Sequence, residues 1–233
     1  LTQTEISRAT AELSNHTIHE VKKNVITEAS MMEKAIRMTR DILDDLGKNS
    51  KGATHLIKLC RKDLSLAFHG IATGVIANLI AQKQKMTNET SLRILTTAGI
   101  FHDAGMGLLS EDISNPERSL SASQTETLKE HISNAGGILQ SDLQLDTEGM
   151  KAVAQHHEYL DGSGYLGLKG DQISPMARIL TVADCYSALA TPQGASQALT
   201  NKMEALKYLY DEKERFDSEC LSSLTEIVKP KAA

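Results

Sequence analysis

The chain has no tryptophan, and aromatic residues make up only 3% of its 233 positions. Its core must therefore be filled by Leu, Ile, Val, Ala and Met, a set that suits helices better than sheets, because strands favour aromatic and β-branched side chains. Cysteine is equally scarce. Cys60, Cys185 and Cys220 are widely spaced and odd in number, which excludes a zinc knuckle and a disulfide framework and points to a reducing cytoplasm. No signal peptide is expected, and no apolar run reaches the roughly 18 residues of a membrane span. Basic patches are missing too. With a net charge of −5 the chain is not expected to bind a nucleic-acid polymer, whereas a small nucleotide stays compatible. It opens on Leu1 rather than Met, so an upstream domain, for example a sensory one, is expected beyond it.

What the chain does have is helical periodicity. Residues 1–50 are polar and read as a helical extension or linker. Val21, Val25, Met32, Ile36 and Ile42 sit at roughly helical spacing, Gly47 is a stop signal, and a homodimer could pair this helix with its copy. Residues 51–233 carry the chemistry. Apolar helical runs cover His55 to Leu79 and residues 91–101, the latter capped by Thr87 or Asn88. Another spans about Ala122 to Gly136-Gly137. Asp146 starts one more helix, Pro175 begins the next, and residues 201–228 read as two closing helices. At least seven helical runs with no convincing strand predict an all-α bundle.

Within that pattern Ile100–Met106 holds His102 beside Asp103. Neighbours on a helix point about 100° apart, so the pair shares no face of a regular turn. Both can reach one ion from a last turn, provided Gly105 lets the chain bend away. His69, His131, His156, His157 and Asp184 are the available partners. Each has a plainer reading: His69 as a packed core histidine, His131 in Lys-Glu-His-Ile as a surface one. His16 and His19, at i and i+3, read as a solvated helix face. Asp184, between Val-Ala and Cys-Tyr, is costly to bury uncompensated and calls for a cation, either Arg178 or a metal.

Imidazole and carboxylate are the ligands of zinc, iron, manganese and nickel, and an imidazole-rich set disfavours magnesium or calcium. Seven ligands are too many for one ion with an open position. Two ions sharing a carboxylate fit better, and Asp103 is the natural bridge because a carboxylate offers two oxygens. Paired metals about 3.5–4 Å apart can activate a bridging water and stabilise a phosphoryl displacement. The glycine-rich loop Asp161–Gly170 lacks the flanks of a Rossmann turn or a P-loop. Its glycines suit close backbone approach to a site instead.

The ordered set is His69, His102-Asp103, His131 with Gly136, His156-His157-Glu158, Asp161-Gly-Ser-Gly-Tyr165 and Pro175-Met-Ala-Arg-Ile-Leu-Thr-Val-Ala-Asp184. It resembles the HD superfamily of metal-dependent phosphohydrolases and, within it, the HD-GYP family of cyclic di-GMP phosphodiesterases, over about residues 60–225. The resemblance implies an all-α HD-domain fold and two divalent transition-metal ions, iron foremost, with manganese or nickel as alternatives. It implies hydrolysis of cyclic di-GMP to the linear dinucleotide or GMP by a metal-bridging hydroxide. His69, His102, Asp103 and Asp184 would hold one metal, and His131, His156 and His157 the other, with Asp103 bridging as the catalytic carboxylate. Gly162, Gly164, Tyr165 and Arg178 would contact substrate. Members with a third metal carry a Glu four residues before the first His; Ser65 stands there, so two ions are expected.

The chain also departs from that pattern. Met106 replaces the lysine of His-Asp-x-Gly-Lys, Leu166 the proline of Gly-Tyr-Pro, and Ser187 an aspartate. Asn115 precedes Pro116 in place of a lysine, and Ala190-Thr-Pro-Gln-Gly-Ala replaces an arginine-rich segment. A charge-assisted phosphate contact contributes roughly 1.5–3 kcal/mol. Losing several weakens binding by orders of magnitude unless Arg118, Lys169 or Arg178 substitutes. Two functions are therefore expected to compete: an active phosphodiesterase with altered preference, or a catalytically weak module of the same fold that binds nucleotide or protein partners. An HD phosphohydrolase acting on another nucleotide is a third.

Overall fold

Every residue from His69 to Ala81 is buried, on all sides of its helix. A helix apolar all round has to be central, and the bundle is built around it. The computed structural model describes residues 4, 8–13, 15–16, 29–48, 64–114, 119–190 and 202–229. These comprise α1 (Ala29–Lys48), the central α2 (Leu64–Lys83), α3 (Glu89–Phe101), a 3₁₀ turn (Ala104–Leu108), and the short α4 (Glu111–Ser114). Then follow α5 (Ala122–Ser141), α6 (Thr147–Ala154), α7 (Pro175–Ala190), α8 (Lys202–Asp211) and α9 (Ser218–Val228). There is no strand among the described residues, and the all-α expectation holds.

Helix α2 packs against α3, α7, α1 and α9. The α2–α3 contact is backbone on backbone. A Cβ on Gly99 would lie 2.6 Å from the Gly74 Cα, and one on Gly74 would lie 2.8 Å from the Thr96 carbonyl oxygen. Only glycine permits that approach. Where the two helices meet, buried Asn78 donates to the Thr96 hydroxyl at 2.8 Å, so the close contact leaves that amide partnered. Helix α1 buries Ala35, Ile36, Ile42 and Leu43.

The helix starts follow their capping residues. Asn88 accepts from the Ser91 amide, Asp146 from the Gly149 amide and Asp217 from the Glu219 and Cys220 amides. The end of α5 differs from expectation, because the helix runs through Gly136-Gly137 to Ser141. Ile138 and Leu139 are buried in the core, and that tertiary burial outweighs glycine's weak helix propensity of about 1 kcal/mol per residue.

Several sequence expectations lie outside the described residues: His19, Val21, Val25, His55, Cys60, Asn115-Pro116, Arg118 and the segment 191–195. The side chains of Met32 and Ser65 do as well. His16 is exposed and joins no metal-ligand cluster among the described residues. No helix among them is long and apolar enough to cross a membrane.

Gly99→Ala should lower stability by about 1–3 kcal/mol, because its methyl meets rigid backbone. Gly137→Ala meets nothing within 4 Å and should stabilise α5 by up to about 1 kcal/mol. Thermal unfolding of both variants checks the pair; equal effects would contradict the packing described.

Candidate metal centre

Helix α3 ends at Phe101, and His102 is its C-cap. The 3₁₀ turn that follows packs against α5. A Cβ on Gly105 would collide with the His131 carbonyl oxygen and approach the Ala135 amide at 2.7 Å. Gly105 was expected to bend the chain. It is instead a contact glycine: among the described residues the glycines with positive φ are Gly162, Gly167 and Gly170. The absence of a side chain at Gly105 lets Asp103 come beside His131.

Three histidines are oriented in the same way. Nδ1 of His102 donates to the Gly99 carbonyl at 2.8 Å, His131 to Leu128 at 2.6 Å, and His156 to Val153 at 2.7 Å. Each acceptor lies three residues back in the chain. A carbonyl can only accept, so Nδ1 carries the hydrogen and Nε2 keeps its lone pair. In all three the Nε2 atom is buried without a hydrogen-bond partner. Buried polar atoms are rarely left so, and three converging on one place form a pocket for a Lewis acid.

His69 reaches the same end by another device. Its Nε2 lies 2.8 Å from Asp184 Oδ1, and its Nδ1 lies 3.1 Å from the Ser187 hydroxyl. That hydroxyl also donates to the His69 carbonyl at 3.5 Å. Ser187 is fully buried. Sequence reading counted it as a lost substrate contact; its place beside the His69 ring makes it a support for that imidazole. Asp184 and Ser187 are three residues apart on α7, a spacing that already put both on one face.

The ligand atoms fall into two groups, Asp103 with His131, His156 and His157, and His69 with His102 and Asp184. Within each group they lie within 4.8 Å of one another. Asp103 faces both. Its Oδ2 is 3.3 Å from His102 Nε2, and its Oδ1 is 3.3 Å from His131 Nε2 and 3.8 Å from His156 Nε2. Asp184 Oδ1 is 3.4 Å from His102 Nε2. His102 Nε2 closes no hydrogen bond with either carboxylate. Metal bonds of about 2.0–2.2 Å place neighbouring ligand atoms about 3 Å apart, so these separations suit atoms around ions.

The electrostatics agree. Burial raises the carboxyl pKa of Asp103, but His102, His131 and His156 outweigh it and hold the group well below the ordinary range. Asp184 is likewise held ionised by His102 and His69 against its burial. Burial and the rings of His157 and His102 keep His156 neutral. For His102 burial lowers the pKa, but the charges of Asp103 and Asp184 outweigh it and push it up. Ionised carboxylates and imidazoles of fixed tautomer fit divalent metal ions.

The glycine loop is pinned from below. Glu158 is buried and accepts from the Leu166 and Leu168 amides at 2.7 and 2.9 Å. A Cβ on Gly164 would lie 2.6 Å from Glu158 Cα and from the His157 carbonyl oxygen. Gly162, at φ +85°, shapes the turn. Tyr165 is thereby set with its ring 4.6 Å from that of His157. Arg178 has a different task from the one expected. It donates to the Ile173 and Gly170 carbonyls at 3.1 and 2.9 Å and pairs with Asp171 and Asp217. Its guanidinium ties the loop to the start of α9.

Residues 31–220 match the model of the HD domain. The chain belongs to the HD-domain family. It is 32% identical over 152 residues to the cyclic di-GMP phosphodiesterase response regulator RpfG of Xanthomonas campestris, covering 64% of this chain and 40% of that protein. It is 33% identical over 125 residues to 3'3'-cGAMP-specific phosphodiesterase 3 of Vibrio cholerae, covering 53% of this chain and 27% of the relative. The chain thus spans less than half the length of these curated relatives. An HDG"Y"P protein from Bdellovibrio bacteriovorus shares the fold, with a TM-score of 0.61 at 21% identity over 96% of this chain and 71% of that one.

Ser187→Ala should weaken metal binding by about tenfold while leaving the fold intact, since outer-shell partners of metal ligands typically contribute 10–100-fold. Chelator-competition titration measures this. Unchanged affinity would show that the hydroxyl does not hold His69 for a metal.

Proposed function

We propose that this domain is a metal-dependent phosphodiesterase acting on cyclic dinucleotides. The observation that carries the reading is Asp103, whose two carboxylate oxygens face two separate clusters of imidazole and carboxylate ligands. His69, His102, Asp103 and Asp184 would hold one ion, and Asp103, His131, His156 and His157 the other. Iron is the first choice, with manganese or nickel also suited to an imidazole-rich, carboxylate-bridged set. When bound, such a pair activates a water at neutral pH and neutralises charge on the phosphoryl oxygens.

The protein's own residues set the rest. The backbone carbonyls behind His102, His131 and His156 fix the direction of each imidazole. Glu158 holds the glycine loop so that Tyr165 lines the mouth, and Gly162 and Gly164 let the backbone come close. The relatives named above act on cyclic di-GMP and on 3'3'-cGAMP, and both are candidate substrates here. Met106, where a lysine was expected, favours a weaker or altered preference and keeps a second reading in play: a module that binds the nucleotide without cutting it.

His102→Ala should remove metal and phosphodiesterase activity together, with products scored from both cyclic di-GMP and 3'3'-cGAMP. Activity surviving in that variant would contradict the assignment. Tight binding without products in the metal-loaded wild type would favour the second reading.

A further inference from the structure

Met106 leaves the 3₁₀ turn without the cation that the sequence pattern led one to expect there, and Arg178 is committed to the loop. Lys169 runs its stem along Gly162, where a Cβ would come within 2.8 Å of its Cγ. Another cation, absent from the sequence expectations, stands elsewhere on the rim. Lys129 on α5 places its Nζ 5.2 Å from the centroid of the Tyr165 ring. The same ring lies 4.6 Å, centroid to centroid, from that of His157. Cation, aromatic ring and candidate ligand are thus linked in sequence from the surface to the metal-ligand clusters. Lys129 and Tyr165 are both partly open to solvent, at 31% for the lysine side chain and 37% for the tyrosine.

We infer that Lys129 and Tyr165 form a cation–aromatic clamp at the mouth of the site, Lys129 holding the phosphate that is not being cut and Tyr165 stacking on a base. The inference rests on the cyclic-dinucleotide reading and names the residue that takes over the phosphate contact missing at Met106. A cyclic dinucleotide carries two phosphodiesters across a ring. With one at the metal ligands, the other needs a separate cation. Lys129 has a competing partner, Glu126, at 2.7 Å, but the Glu126 side chain is 72% exposed. An exposed pair of this kind is weak, and phosphate oxygens displace it. The flat ring of Tyr165 is held in place by the pinned loop beneath it, so little ordering is left to binding.

Calorimetry on manganese-loaded protein, with cyclic di-GMP and 3'3'-cGAMP as probes, tests the clamp independently of turnover. Lys129→Met should raise Kd about tenfold or more with metal content unchanged. Lys129→Arg should keep most of the affinity, and adding Met106→Lys to Lys129→Met should restore part of it. In steady state the loss should fall on KM more than on kcat. It should be far larger for the cyclic dinucleotides than for bis(p-nitrophenyl) phosphate, which carries a single phosphodiester and so has no second phosphate to offer Lys129. Equal Kd values for wild type and Lys129→Met overturn the clamp, as does a wild type that binds neither cyclic dinucleotide. A wild type that binds but releases no product contradicts the phosphodiesterase reading and leaves the clamp standing.

Discussion

The structure depends on a hydrogen bond between an imidazole Nδ1–H and the carbonyl three residues behind it. His102, His131 and His156 all use it. The bond fixes the ring tautomer and points Nε2 away from the local backbone. The three residues come from separate parts of the chain, so three rigid pieces of backbone must be brought to one place for those lone pairs to converge. The glycine contacts do this. Gly74 and Gly99 let α2 and α3 touch, and Gly105 lets the turn after α3 meet α5 at His131. The ligand geometry is thus built from backbone approach distances before any metal is considered.

Much of this was legible in the sequence. The helices are strongly periodic or start on capping residues, and the seven ligands follow an ordered pattern. The structure places all seven in two groups, and Asp103, in one of them, has an oxygen 3.3 Å from His102 of the other. What could not be read depended on tertiary contact. Ser187 looked like a missing aspartate; only packing shows that its hydroxyl serves His69. Arg178 looked like a free cation, and its partners Asp171 and Asp217 are distant enough in the chain to be invisible from spacing. Gly136-Gly137 read as a helix end because local propensity says nothing of the burial of Ile138 and Leu139. Lys129 carries no local signal at all, since its neighbour Tyr165 lies on a different element.

Of the departures from the expected pattern, Leu166 is exposed and Ser187 is buried beside His69, while the seven candidate ligands are all present. That completeness has a physical basis. Removing a ligand leaves other buried ligand atoms unpaired, a penalty felt throughout the core. Exchanging a rim cation changes only how a partly exposed phosphate is met. A site of this kind can therefore drift in substrate while its centre stays as it is.

The most direct test of the account is the number and position of bound metals. A crystal structure of the purified protein with anomalous scattering at the edge of the bound metal should show two peaks about 3.5–4 Å apart, one on each side of Asp103. One should lie among His131, His156 and His157, and the other among His69, His102 and Asp184. A single peak, or a pair placed away from Asp103, would contradict the shared-carboxylate centre on which the rest of the reading stands.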